Sequence, residues 1–498
     1  MTDRWIKPAS ALLLSPFLLS LGACSGGGSS DGGSSSGGSS SSSGGSSSSS
    51  GAVAYCANLP QATSVIGQPS FTTNKPDNGG ISGLTLGGVQ GSVAVYSNPA
   101  SPSASPIIYV ADTANNRILG FEGIPKGINT TAASFIIGQS TASDQTPGIG
   151  PEGGNPIKFA NPSKISTANA SGHAYVTVAD SGNNRVLIWN KPPMANTAPD
   201  VVLGQPDFTA NGENQPSLKP TASGMSHPTA AVISANGQLV VVDKGNNRVL
   251  IWNKVPTANG APADLEQGQI ATDATGTTTC TTNDNNPTSG YCFTTNIQNI
   301  DTFNGTLNAN ILAMRQPSDA WTDGSNLLVT DTGNNRVLYW TSMPGTMNQL
   351  PDNLLGATQF GSYNPAGGAG TQAFNAPWGV ASNGASVFVA DTGNNRVMEF
   401  QAYVTTPRNG PAANDVFGQK DFTHITQNDP DQNGGVGDQT FNPATNGITA
   451  GTLFSPQGLY VNAAFNILLV SDSANSRVMG FPASAGVDGT DSYIPCSP

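Results

Sequence analysis

One eight-residue phrase recurs six times along this 498-residue chain, and it limits the possible folds more than any other feature. The copies are Val110–Arg117 (VADTANNR), Val178–Arg185 (VADSGNNR), Val241–Arg248 (VVDKGNNR), Val329–Arg336 (VTDTGNNR), Val389–Arg396 (VADTGNNR) and Val470–Arg477 (VSDSANSR). A phrase repeated at long intervals marks a repeated supersecondary unit, because one such unit cannot bury its apolar faces alone. The Asp-to-Asp intervals are 68, 63, 88, 60 and 81 residues. A minimal four-stranded unit needs only about 40 residues, so the surplus is insertion.

The third copy shows the local pattern most cleanly. Thr229–Ser234 reads as a short strand led by His227-Pro228, and Ala235-Asn236-Gly237 as a turn. Gln238–Val242 is a second strand running into Asp243, Lys244–Asn247 a tight turn, and Arg248–Trp252 a third strand. In other copies a fourth strand ends in Gly-Gln, as Val201–Leu203 does before Gly204-Gln205. Runs of β-branched and aromatic residues bounded by Gly, Asn and Pro are strand and hairpin signals. Six such units predict an all-β fold, a six-bladed β-propeller of four-stranded antiparallel blades.

The Gly-Gln pair also predicts how the ring closes. It stands at Gly67-Gln68, Gly138-Gln139, Gly204-Gln205, Gly268-Gln269 and Gly418-Gln419, with a degraded copy at Gly356-Ala357. The first precedes the first Asp-Asn-Arg phrase, and none follows the last. The sixth blade therefore lacks an outer strand of its own. Ser64–Phe71 is expected to supply it, since an unclosed ring would leave an exposed strand edge.

The unit resembles the NHL repeat, whose hallmark is an Asp, then Asn, then an Arg-hydrophobic core after a Val-rich strand. Five of the six copies carry Asn-Asn-Arg, and the sixth has Asn475-Ser476-Arg477. The resemblance covers the chain from about Val53 to Cys496. It is similar to six-bladed NHL propellers of bacterial secreted and lipid-anchored proteins, many of which have no assigned activity.

The N-terminal segment reads as an address. Arg4 and Lys7 are followed by an apolar run from Ala9 to Leu21 and then by Leu21-Gly22-Ala23-Cys24. A basic start, a short apolar stretch and small residues describe an exported leader. The final four residues resemble a bacterial lipobox, which implies that residues 1–23 are a signal peptide and that Cys24 is lipidated. Residues 25–51 are almost only Ser and Gly, a composition that buries no apolar surface and behaves as a tether. The expected organisation is thus a leader (1–23), a lipidated Cys with its tether (24–52) and a propeller (53–498). Ser25 after the Cys resembles outer-membrane sorting, so the expected location is the bacterial cell envelope, with the lipid as the only membrane contact.

Besides Cys24 and after the leader, the chain has four cysteines: Cys56, Cys280, Cys292 and Cys496. An even number in an exported chain points to disulfides, and three pairings are possible. Proximity in sequence favours Cys280–Cys292, leaving Cys56–Cys496 to join the two ends of the body. Only 10% of residues are charged and the net charge is −12, which argues against a nucleic-acid partner, whose phosphates need a basic face. A monomer is expected.

The repeated acid–base pairs are Asp112 with Arg117, Asp180 with Arg185, Asp243 with Arg248, Asp331 with Arg336, Asp391 with Arg396, and Asp472 with Arg477. A catalytic site would be used once, so a pair present in every blade reads as scaffold. Asp before a tight turn accepts backbone N–H bonds, the Gly-Asn of the turn is expected to supply its positive-φ positions, and the Arg reaches back to the carboxylate. Trp189, Trp252 and Trp340, at one point of the third strand, read as packing between blades. The insertions follow the outer strands and should all crowd the face that carries the Asp-Asn-Arg turns. Loops on a rigid scaffold carry binding function, so that face is the expected contact surface for a protein or glycan partner.

Catalysis has little support in the sequence. His173, His227 and His424 are scattered, with His227 simply filling the pre-proline slot of its blade, and there is no Gly-x-Ser-x-Gly elbow. NHL propellers that act as amidating lyases use a His-ligated zinc, and the matching set is missing here. The competing reading is an extracellular lyase or lactonase-like enzyme with a metal at the channel. One loop, Asp429-Pro430-Asp431-Gln432-Asn433-Gly434, has oxygen ligands at alternate positions like the opening of an EF-hand, making Asp429, Asp431 and Asn433 calcium candidates. The twelfth position is Thr440 and not Glu, so an ordinary solvated loop has the stronger claim. No other cofactor is expected.

Overall fold

The computed structural model describes residues 55–56, 59–90, 92–101, 103–124, 126–148, 157–269, 314–360, 368–429, 448–484 and 494–495. They form six four-stranded antiparallel sheets, each consisting of an inner strand, two middle strands and an outer strand. Blade 3 runs Pro228–Ile233, Leu239–Asp243, Arg248–Trp252 and Leu265–Gln267 in spatial order. Every residue of its middle strands is buried, which is why they read as continuous apolar runs and not as alternating ones.

The core lies between the sheets. One apolar cluster joins Val186 and Ile188 of blade 2 to Leu239 and Val241 of blade 3. Another joins Val93 and Val110 of blade 1 to Leu469 and Val478 of blade 6, which completes the circle. Trp189, Trp252 and Trp340 do pack between blades, each with the residues of the preceding one. Their indole N–H groups also donate to loop carbonyls of Thr197, Ala261 and Gln349 at 2.9–3.1 Å.

The ring closes as the Gly-Gln phase predicts. Ser64–Ile66 pairs antiparallel with Arg477–Pro482, with Ser64 opposite Gly480, Val65 opposite Met479 and Ile66 opposite Val478. Gln68 then repeats the role of the other Gly-Gln glutamines. Its Nε2 donates to Ser476 O at 3.1 Å, as Gln205 Nε2 does to Asn184 O at 2.9 Å. A short parallel strand, Gly127–Ile128, adds a fifth member beside the closing strand, which the repeat pattern does not announce. Tyr55–Cys56 pairs with Ile494–Pro495, placing Cys56 opposite Ile494. Cys24, Cys280, Cys292 and Cys496 lie outside the described residues. No helix among the described residues is long and apolar enough to cross a membrane.

The six glycines of the Gly-Gln position all have φ between +86° and +99°, a region costly to residues with a Cβ. Space excludes a side chain there as well. At Gly204 a Cβ would lie 2.7 Å from Asn184 O and 3.0 Å from Met225 Sδ.

Candidate functional site

The repeated phrase is a three-way lock. In blade 2, Asp180 Oδ2 accepts from Arg185 Nε and Asn183 Nδ2, each at 2.8 Å, while Oδ1 accepts from Ala160 N–H at 2.8 Å. Arg185 donates onward to Phe208 O at 2.7 Å and Lys158 O at 2.9 Å, which belong to the links after and before the blade. Both charged side chains are fully buried, and the same is true of Asp112–Arg117, Asp243–Arg248, Asp331–Arg336, Asp391–Arg396 and Asp472–Arg477. These bonds put the outer-to-inner links on the same face as the turns, as strand alternation requires. The expectation for the turn needs a correction. Its left-handed residue is the second Asn (Asn116, Asn184, Asn247, Asn335, Asn395) or Ser476, with φ of 51–55°, and not the Gly. In blades 2 to 5 the Gly gives room, since a Cβ on Gly245 would meet Ser226 O at 2.7 Å, while blades 1 and 6 accommodate Ala114 and Ala474 there.

That second Asn ties each blade to the next. Its Oδ1 accepts the N–H of the next blade's pre-proline residue. The pairs are Asn116 with Asn161, Asn184 with His227, Asn247 with Gln316, Asn335 with Ala376 and Asn395 with Ser455, at 2.7–2.9 Å. All five donors have positive φ, which explains why no residue type is favoured in the slot beyond one that tolerates it. In the sixth blade Ser476 Oγ lies 3.2 Å from Gly87 O, bridging to blade 1.

Two groups break the repeat, and both face the axial channel. Lys164 in the inner strand of blade 2 pairs with Asp319 in that of blade 4 and donates to Ala320 O at 3.2 Å. Asp319 Oδ2 also accepts from Val380 N–H at 3.1 Å. A carboxylate and an ammonium thus meet across the channel and neutralise one another. Nearer the insertion face, the channel opens into a cavity of about 350 Å³. Gln90, Asn161, His227, Lys244, Gln316 and Trp378 line it, from five different blades. Lys244 Nζ sits 3.9 Å from the centroid of the Trp378 ring. Loss of hydration pulls Lys244 down to about 8. It still carries most of its charge at neutral pH.

These four residues are what sequence reasoning missed. The signal was departure from the repeat. Lys244 stands where the other copies have Thr or Ser, Trp378 where blades 2, 3 and 4 have Ser163, Thr229 and Ser318, and Lys164 and Asp319 where blade 3 has Ala230. The other candidates do not join them. His173 begins a strand at the opposite end of its blade, and His424 Nδ1 lies 2.8 Å from Asp421 Oδ1 in a loop after blade 5. Among the described residues no three His, Cys, Asp or Glu side chains gather as a metal set. Asp429 is buried, whereas Asp431 and Asn433 lie outside the described residues.

No protein-family model matches the chain, and no curated protein matches it either. Among solved structures it is similar to an auxiliary nutrient binding protein from Bacteroides thetaiotaomicron, at 11% identity and a TM-score of 0.37, over 79% of this chain and 70% of the other. It is also similar to a "Putative phosphatase" from the same organism, at 11% identity and a TM-score of 0.42, over 84% of this chain and 78% of the other. Both likenesses are too distant to bear on what this chain does.

Proposed function

We propose that the chain is an NHL-type propeller lipoprotein of the bacterial envelope that works as a non-enzymatic binding module, presenting its insertion-bearing face to a protein or glycan. The observation that carries this reading is the use made of the conserved-looking charges. All six Asp–Arg pairs are buried and spent on holding turns and links in place, so they are not offered to a substrate. The only acid–base pair that spans the channel, Lys164–Asp319, is self-neutralised among the described residues. What remains available is the face of the ring where the described ends of the outer-to-inner links lie beside the Asp-Asn-Arg turns. The Asp, Asn and Arg positions support the NHL reading, and the Leu-Gly-Ala-Cys sequence at residues 21–24 supports the anchor.

The test is capture from the native envelope by the body beginning at residue 53, alongside a variant in which residues 272–311, within the longest link, are replaced by a short Gly/Ser segment that leaves Met314, Arg315 and Gln316 in place. A partner held by the body and lost by the variant is expected. Equal capture by both, or none by either, refutes the role given to that loop face. The anchor is read separately, from incorporation of a labelled fatty acid that Cys24→Ser abolishes.

A further inference from the structure

We propose that the channel mouth binds a small hydroxylated organic monocarboxylate of the sugar-acid class, received by Lys244. The proposal rests on the binding-module reading and names what the centre of that face takes.

Lys244 is an expensive choice for its position. In other copies the side chain there is a hydroxyl that ties its blade to the next. Thr113 Oγ1 donates to Pro162 O at 2.8 Å, Thr332 Oγ1 to Pro377 O at 2.7 Å and Thr392 Oγ1 to Pro456 O at 2.6 Å. Blade 3 forgoes that hydroxyl bond and sends an ammonium towards the axis. The ammonium has no carboxylate partner among the described residues, in a chain with 31 acidic and 19 basic side chains. The other lysine of the channel, Lys164, is neutralised by Asp319. Glu213, in the link before blade 3, accepts from Ser226 Oγ at 2.8 Å. The Trp378 ring stabilises the ammonium without cancelling its charge, and an ammonium has three donors to place.

The rest of the cavity selects the class. One unpaired cation matches one negative charge, which favours a carboxylate over a phosphate dianion. The volume of about 350 Å³ is at the small end of ligand pockets, which run from about 300 to 1,000 Å³. Thr229 Oγ1 is buried there with no partner among the described residues. The side-chain amides of Gln90, Asn161 and Gln316 are exposed at the rim, where a ligand can reach them. Hydroxyls both donate and accept, so they can pair Thr229 Oγ1 and replace the water on the amides they cover, whereas an aliphatic acid would leave Thr229 unpaired and strip that water without replacement.

The test is calorimetric titration of the purified full-length protein with galacturonate, galactose and inorganic phosphate. Galacturonate should bind saturably and at least about tenfold more tightly than galactose or phosphate, the difference expected of one charge-assisted hydrogen bond. Lys244→Thr restores the residue of blades 1, 4 and 5, so it should fold with a melting temperature no lower than that of the parent. It should weaken galacturonate about ten- to a hundredfold and leave galactose alone. Trp378→Ser, which restores the residue of blades 2 and 4, should weaken galacturonate as well. Galacturonate binding no tighter than galactose or phosphate overturns the proposal, as does unchanged affinity in Lys244→Thr. If either occurs while the body still captures its envelope partner, the binding-module reading survives and only this assignment falls.

Discussion

Arg396→Met separates a scaffold from a site. Arg396 and Asp391 are both fully buried. The guanidinium donates to Asp391 Oδ2 at 2.8 Å, to Phe422 O at 2.5 Å, and to Gly370 O and Ala373 O at 3.1 Å. Met keeps the aliphatic stem and supplies none of these donors. Asp391 retains two, the Asn375 N–H at 2.7 Å and Asn394 Nδ2 at 2.8 Å, which leaves its charge only partly compensated. Removing one partner of a buried pair costs about 3–5 kcal/mol. The orphaned carbonyls add at most about 1 kcal/mol each, less where water reaches them. The expected loss is about 4–7 kcal/mol, a large part of the roughly 5–15 kcal/mol that a domain has. It should be read by equilibrium urea unfolding of the body, with tryptophan fluorescence and far-ultraviolet dichroism required to coincide. Adding Asp391→Asn should recover part of the loss, because it removes the stranded charge. A loss below about 1 kcal/mol, together with lost partner capture, would refute the scaffold reading.

Four further outcomes are expected. Val65→Asp buries a carboxylate in the closing strand, where Val65 is fully buried, and should cost more than about 3 kcal/mol; a neutral effect would mean that the strand does not close the ring. Non-reducing peptide mapping of exported protein should find Cys56 joined to Cys496, and reduction should lower stability by up to about 5 kcal/mol; a free Cys56 thiol would contradict this. Burial, with Asp415 adding to it, pushes Glu399 up to about 7. The folded state therefore holds that proton more tightly than the unfolded state does, so the stabilisation is complete below about pH 4.3 and is lost as the pH rises to 7. Glu399→Gln should remove this slope and gain up to about 2–3 kcal/mol at pH 8, and urea midpoints that fall in parallel for both proteins between pH 5 and 8 would sink the idea. Calcium titration of the body with and without chelator tests the Asp429–Gly434 loop, where a thermal shift would mark a site and its absence a plain polar loop.

The ring and its closure were legible because both rest on local chemistry written repeatedly. An Asp, an Asn and an Arg within six residues can recognise one another without knowledge of the rest of the fold, and a Gly with positive φ announces itself beside a Gln. The channel was not legible in the same way. Lys164 and Asp319 are 155 residues apart and meet only because blades 2 and 4 face each other across an axis. Lys244 and Trp378 likewise belong to separate blades. No periodicity encodes such pairs, and only a comparison of equivalent repeat positions would have singled them out. The role of the second Asn was hidden for a related reason, because its partner is a backbone N–H in the following blade, whose side chain is free to vary.

The closing strand has a consequence for how the protein is made. Thr63 and Gly480, 417 residues apart, are hydrogen-bonded neighbours. Ser64–Ile66 must therefore wait for Arg477–Pro482, more than 400 residues later, before its backbone is satisfied. A chain that stopped short of Arg477–Pro482 would leave Ser64–Ile66 without its partner strand, an unpaired edge at one end of an incomplete arc. Such edges are templates for association with other chains. A product that lacked Arg477–Pro482 would stay recognisable to proteases and chaperones as unfinished however well its other blades had formed, and only the closing of the ring would hide that edge.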